Sequence, residues 1–417
     1  MIQHRIPRSR TGPSRRAFLA TAGAGALLAG APAIARAQAP TLKIGVLLPR
    51  SGFFAQAGQG CHRGALIAPA VLNEMGYRFE LVHVDTESSV DIARTQAERL
   101  INEGANVLIG AFDSAQSIAI AQVTEQRGVP YVVNVAAAPQ LTEQGYRFIF
   151  RNFPRSIDLV TNGLALIKTL LTATNASPQR AVFIHANDTF GQANRGAMDR
   201  LFPGANMPFQ LVENIAYDPR AQDLNAEVAR IRAARADLVL VTTRAGDAIK
   251  MIREMVRQRY EPMGIVSPGS PGMYDQEFYD SLGRFSEFCI SNVPWYNPRA
   301  RMAQPFERAF RAQFPNDKFE FHAFNAGFTL EAILIAADAF KRAGSAAPQA
   351  MVQALRATDM ADHIMVGGPI KFDEKGQNNN IGSAAVQNRN LNPTVVLPTE
   401  AATMPPVFPM PGWQQRG

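Results

Sequence analysis

The stretch LKIGVLLPRSGFFAQAGQGCHRGA, residues 42–65, decides how the chain is to be read. It opens with a continuous apolar run, Leu42–Leu48, closed by Pro49, Ser51 and Gly52, which is the pattern of a buried strand. Gly58, Gly60 and Gly64 then fall at the start of a segment with helical spacing, 59–75. Strand, glycines and helix in that order also describe a dinucleotide-binding fingerprint. That fingerprint needs its first glycine in the tight turn directly after the strand, so that the pyrophosphate meets the helix N-terminus. Here nine residues separate Leu48 from Gly58 and the spacing is G-x-G-x-x-x-G. Asp85, the candidate for the ribose-binding acid, does not clearly close a second strand in the required context. The glycines are therefore read as small residues demanded by a long loop and a closely packed helix, and no cofactor is expected.

Outward from this strand the same rhythm continues. Strands are expected at 79–84, 106–110 and 130–134, and helices at 90–102 and 114–126, the last with Ser114 as a candidate N-cap. The rhythm restarts with helices at 157–171, 192–201, 221–233 and 245–259 and strands at 181–185, 209–215, 237–242, 263–266 and 288–293. Helices near 301–314, 323–343 and 348–357 follow, and the proline-rich tail from Thr394 is expected to lie extended along a surface. Alternating strands and helices predict two doubly wound α/β units with parallel sheets covered on both faces.

Residues 1–37 stand apart from this pattern. Arg15-Arg16 with Phe18-Leu19 behind them, an Ala/Gly/Leu run, and small residues around a cleavage point between Ala37 and Gln38 make a secretory signal of the twin-arginine type. The run is short and weakly apolar for a membrane anchor. This segment holds six arginines and no Lys, Asp or Glu, so the net charge of +7 falls to +1 without it. The basic balance therefore gives no support to nucleic-acid binding. Beyond the signal, no further apolar run of membrane length is expected. Cys61 and Cys289 are read as unpaired. The histidines form no H-x-H or H-E-x-x-H pattern and no C-x-x-C occurs, so no metal site is indicated. There is no G-x-S-x-G elbow and no phosphate-loop lysine.

Several longer stretches share one resemblance. KIGVLLPRSG at 43–52, VDTESSVDIARTQAERLINEGANVLIGAFDSAQS at 84–117 and RGVPYVVNVAAAPQLTEQGYRFIFRNFP at 127–154 are followed by HANDTFGQANRGAM at 185–198 and VGGPIKFDEKGQ at 366–377. In this order they resemble a type I periplasmic solute-binding protein of the branched-chain amino acid and amide group that serves ABC importers. The resemblance runs from about Leu42 to Gln387. It implies a periplasmic clamshell in which a three-stranded hinge joins two lobes, 41–155 plus 294–365 and 156–293 plus 366–417. It further implies a small-molecule ligand trapped by hinge closure, membrane permease subunits as partners, and a monomer without enzymatic activity. A receptor ectodomain of the same fold is the rival reading. It would require an anchor or a downstream domain, and neither is expected after cleavage. An enzyme on the same scaffold is another; Asp113 is the one acid beside the implied site, and it is read as a helix cap.

The resemblance also implies where the ligand sits. Ser114 and Ala115 open the helix after the strand at 106–110, where the family supplies a hydroxyl and amides to a ligand carboxylate. Ser114 as a simple cap is the equally weighted alternative. Val135 and Ala137 follow the next strand, and Phe190 in DTFG takes the family's aromatic position from the second lobe. The family's amino-acid binders usually carry Thr at the position of Ala137 and Glu near Gly269, and these hold the ligand's ammonium. A buried ammonium without its acid costs on the order of 3–5 kcal/mol. The resemblance with these two departures implies a small acid lacking an amino group, an aromatic carboxylate being one candidate. Arg50 and Arg244 are candidate forks for its carboxylate, with solvated loop charges as the alternative. Phe53 is a candidate ring contact or a lobe-packing residue.

Overall fold

The apolar run that opens the fold becomes β1 (Leu42–Leu48), followed by α1 (Ala55–Glu74), β2 (Phe79–Asp85), α2 (Val90–Asn102), β3 (Val107–Gly110), α3 (Ser114–Arg127), β4 (Tyr131–Val133) and β5 (Ile149–Arg151). The computed structural model describes residues 41–399 and 401–416, so the signal read at 1–37 lies outside the described residues. The five strands are parallel in the order β2-β1-β3-β4-β5. The second unit holds α4 (Ser156–Thr174), β6 (Arg180–Ala186), α5 (Thr189–Leu201), β7 (Gln210–Tyr217), α6 (Asn225–Ala233), β8 (Leu238–Thr242), α7 (Ala245–Arg257), β9 (Gly264–Ser267), α8 (Gln276–Leu282) and β10 (Ile290–Val293). The chain then returns through α9 (Ala303–Gln313), α10 (Ala323–Ala343), α11 (Pro348–Arg356), β11 (Asp359–Met360) and β12 (Ile370–Lys371), and ends with β13 (Ala384–Arg389) and β14 (Asn392–Leu397).

The second sheet runs β14-β13-β10-β9-β8-β6-β7. It is mixed rather than all parallel, because β13 and β14 join as an antiparallel edge. The tail from Thr394 is therefore not simply laid on the surface. It starts inside β14, and its large apolar side chains then turn inward: Phe408, Met410 and Trp413 are buried in the second lobe. Trp413 donates its indole N–H to the Tyr260 carbonyl at 2.8 Å.

The opening glycines are packing residues. α1 begins at Ala55 rather than Gln59, so all three lie within it. A Cβ on Gly58 would stand 2.0 Å from the Pro49 carbonyl oxygen, and one on Gly64 would stand 2.1 Å from that of Ala326 on α10. The glycines let α1 lie directly on its own strand loop and on α10. α10 is buried on nearly every side against α1, α11 and the sheet. The expectation of no further membrane-length apolar run needs correcting. Among the described residues α4 and α10 reach that length and apolarity, and α10 does so as the core helix of the first lobe. Cys61 and Cys289 lie in the hydrophobic cores of different lobes.

Three segments pass between the lobes. The first leads from β5 into α4. The second follows β10, where Tyr296 pairs with Met365. The third comes near Gly382, later than the division at 365/366 implied by the resemblance. The delay arises because Arg151 pairs with Gln377, which extends the first sheet beyond β5. The Arg151 amide donates to the Gly376 carbonyl at 2.8 Å, and the Asn378 amide to the Arg151 carbonyl at 3.0 Å.

One buried carboxylate ties these crossings together. Glu331 on α10 accepts from the Asn152 side chain at 2.7 Å and from the amides of Ile364 at 2.7 Å and Met365 at 2.8 Å, and it faces His363 Nδ1 at 3.1 Å. Burial alone pushes the His363 imidazole down, but the hydrogen bond and charge of Glu331 outweigh it and raise its pKa above the usual histidine value. A raised folded-state pKa means that the pair's stabilisation is complete below the unfolded-state pKa and fades as pH rises through the folded value. His363→Gln is therefore expected to cost roughly 1 kcal/mol near pH 5.5 and clearly less near pH 8.5. Urea unfolding of wild type and variant at the two pH values checks this; an equal or larger loss at the higher pH contradicts it.

Candidate functional site

The carboxyl ends of the parallel strands from both sheets converge on one narrow cavity. From the first lobe, Phe112 and Ser114 follow β3, Val135 to Ala137 follow β4, and Phe153 follows β5. From the second, Phe190 lies in α5, Arg244 follows β8, and Gly269 and Pro271 follow β9. Val293 and Pro294 at the second crossing and Phe324 on α10 complete the wall.

Six of the nine residues read from the sequence therefore line one cavity: Ser114, Val135, Ala137, Phe190, Arg244 and Gly269. Three do not. Ala115 sits one residue further into α3 and lines neither this cavity nor the chamber beside it. Phe53 lies in an adjoining outer chamber, packed edge-to-face on Phe54 at 5.0 Å. Arg50 lines neither chamber; its amide donates to Asp85 Oδ1 at 2.9 Å, and its charge lies near His62 and His83. Burial first, and then that charge, hold the His83 imidazole below the usual range.

Ser114 is not the cap of α3. Asp113 is, accepting from the Gln116 amide at 3.0 Å, because its side chain reaches the first free amides of the helix and leaves Ser114 at the first helical position. The Ser114 hydroxyl and the amides of Ala136 and Ala137 donate to no protein group among the described residues. They remain open to a ligand oxygen.

Arg244 is placed as expected, but its fork is already engaged. It pairs with Asp188 at 2.5 Å and with Asp113 at 3.7 Å, and its guanidinium lies 4.8 Å from the Phe54 ring and 5.3 Å from the Phe190 ring. Burial pushes its pKa down, but Asp188, Asp113 and Asp247 together raise it above the usual value. Burial raises the Asp113 carboxyl, with Arg244 opposing. Asp113 and Phe54 belong to the first lobe, whereas Arg244, Asp188 and Phe190 belong to the second. Arg244 thus links the lobes rather than presenting a free cation.

The rest of the wall is apolar. Phe153 meets Phe324 edge-on, with ring centroids 5.9 Å apart and an interplanar angle of 90°. No Asp or Glu is among the lining residues. Gly269 also leaves no room for one: its φ is +132°, and a Cβ would stand 2.7 Å from the Leu159 Cβ. The site can therefore sandwich a flat apolar body and donate hydrogen bonds to an anion at one end.

Sequence reasoning missed Phe112, Phe153 and Phe324. Phe112 carried the clearest local signal, being the bulky residue between β3 and its helix; its φ of +70° is a strained position for a side chain and turns it toward the cleft. Asn134 was also missed. Its carbonyl oxygen accepts from the amides of Phe112 at 3.2 Å and Val135 at 2.7 Å, while its amide group donates to Thr329 on α10 at 2.9 Å.

The geometry is that of a two-lobed ligand trap, and the comparisons agree with it. A periplasmic binding protein family model matches residues 41–388, and the chain belongs to that family. The fold is the type I form seen in the structural neighbours, and the class is that of periplasmic binding proteins. Among curated relatives, a Leu/Ile/Val-binding protein homolog 7 from Brucella suis is 26% identical over 397 residues, covering 90% of this chain and 95% of the relative. A leucine-binding protein from Thermotoga maritima superposes with a TM-score of 0.72 at 22% identity, over 85% of this chain and 97% of that one. A solute-binding protein from R. palustris, solved in complex with benzoate, superposes with a TM-score of 0.71 at 19% identity, over 88% and 98%.

Removing the Asn134 side chain strands two buried amides, each costing about 1–3 kcal/mol. Asn134→Ala is expected to lower stability by about 3 kcal/mol. Guanidinium unfolding measures this directly, and a loss under about 1 kcal/mol would remove Asn134 as the organiser of these loops.

Proposed function

We propose that this protein captures a small organic acid without an amino group, an aromatic carboxylate such as benzoate, and delivers it to the membrane subunits of an ABC importer. The observation that carries this reading is the cavity wall: four phenylalanines, a free hydroxyl, free amides and no carboxylate. The ring of the ligand lies among Phe112, Phe153, Phe190 and Phe324, and its carboxylate meets Ser114 and the amides of Ala136 and Ala137. Binding of benzoate by one structural neighbour supports this, because the same scaffold accommodates such a ligand there. The leucine-binding neighbour and the curated relatives favour an amino acid instead. Against that stands the missing acid: an ammonium buried here has no partner at Gly269 or elsewhere on the wall.

The protein acts as a monomer in the periplasm after twin-arginine export and cleavage near Ala37, and returns its ligand unchanged. Arg244 acts in closure. With Asp188 in its own lobe and Asp113 and Phe54 across the cleft, it holds the lobes together and neutralises two carboxylates that would otherwise repel an anion. Calorimetry on residues 38–417 should give a benzoate Kd at or below about 10 μM, with leucine at least roughly a hundredfold weaker. Arg244→Ala should weaken benzoate about tenfold. Tight leucine binding without benzoate binding would overturn the ligand reading, and an unchanged benzoate affinity in the variant would remove Arg244 from closure.

A further inference from the structure

We propose that Arg151, which does not touch the cavity, is the positioning residue that makes it select anions: its guanidinium holds the loop of residues 134–142 from behind, aims the Ala137 amide at the ligand, and supplies a buried positive charge. The proposal rests on the reading of the ligand as an acid and adds the origin of the charge preference.

Arg151 ends β5 and is fully buried. All the acceptors of its side chain are neutral. Nε donates to Gln377 Oε1 at 2.7 Å, Nη1 to the carbonyls of Ala138 at 2.6 Å and Ala136 at 3.3 Å, and Nη2 to Thr142 Oγ1 at 2.7 Å. Among the described residues no carboxylate comes within ion-pair distance of it. The acids it feels at longer range are committed elsewhere: Glu143 to Arg155 and Lys375, Asp158 to Arg155, and Asp373 to the amides of Lys375 and Gln377. Burial lowers the guanidinium to about 9, which leaves it charged at neutral pH. A buried cation without a counter-ion is a costly arrangement that a bound anion would relieve.

The peptide between Ala136 and Ala137 connects this charge to the ligand. In a trans peptide the C=O and the N–H point in opposite directions. The Ala136 carbonyl turns toward Arg151, so the Ala137 N–H turns away from it, and Ala137 lines the cavity. The same bond that holds the loop polarises that N–H as a donor.

The test uses benzoate and benzamide, which fill the same ring space and differ in charge, against the full mature chain. Thr142→Asp and Gln377→Glu each place a carboxylate against the guanidinium; Arg151→Gln removes the charge; Arg151→Lys keeps it and serves as the control. Wild type should favour benzoate over benzamide by at least about tenfold. That ratio should fall roughly tenfold in each neutralising variant that folds and stay near wild type in Arg151→Lys. A general loss of structure weakens both probes and leaves the ratio alone. An unchanged ratio in any folded neutralising variant overturns the role of Arg151 while leaving the acid reading intact. Wild type that binds benzamide as well as benzoate overturns both.

Discussion

The ligand cavity depends on a segment with little regular structure of its own. Residues 134–138 carry three cavity-lining positions, and the strand before them ends at Val133. What fixes the segment is side chain to backbone bonding from outside it. Asn134 clamps its entrance to Phe112 and α10, Arg151 grips the carbonyls of Ala136 and Ala138, and the Ser156 amide bonds the Ala137 carbonyl at 2.8 Å. Backbone polar groups buried without such partners would cost more than the segment could recover from packing. The bonds that satisfy its carbonyls also leave the Ala136 and Ala137 amides free, so the structural solution and the candidate binding surface are one arrangement.

The two lobes meet through different kinds of interaction on either side of this segment. At the hinge, Glu331 draws the segment after β5 and the segment at 364–365 onto α10, with Asn378 joining through Asn152. These contacts belong to the first lobe and its straps, and hinge motion need not break them. Across the cleft, Arg244 reaches from the second lobe to Asp113 and Phe54 of the first. That contact would be lost if the two lobes moved apart. A fixed hinge and a separable latch are what a protein needs to trap a small molecule and later release it.

Much of the architecture was legible in the sequence because strand and helix periodicities are local. β1, α2 and α10 stand at the expected residues, and α1 differs mainly in starting earlier, at Ala55, where Gly58 packs on Pro49. The short elements β5 and α8 and the antiparallel β13–β14 edge were not read: the strands are held by pairing with strands distant in sequence, and the seven-residue α8 by packing on α7, rather than by pattern. The site was half legible for the same reason. Ser114, Ala137, Phe190 and Arg244 stand in the segments that follow strand ends, where the α/β topology places a ligand and where the family resemblance pointed. Phe153 and Phe324 reach the cavity only because a hinge crossing and a core helix bring them there, and the pairing of Arg244 with Asp113 and Asp188 has no signature in the order of residues. Arg50 misled because a loop after the first strand is a plausible place for a ligand contact. The chain instead turns that side chain toward His62 and His83.

The functional account reduces to where a negative charge sits when the lobes close. A crystal structure of the mature chain with benzoate locates that charge directly. The account expects the carboxylate within hydrogen-bond distance of the Ser114 hydroxyl and the Ala137 amide, the ring among Phe112, Phe153, Phe190 and Phe324, and Arg244 still paired with Asp188. A carboxylate seated on Arg244 in place of Asp188, or a cleft that closes on leucine and stays open with benzoate, would contradict it.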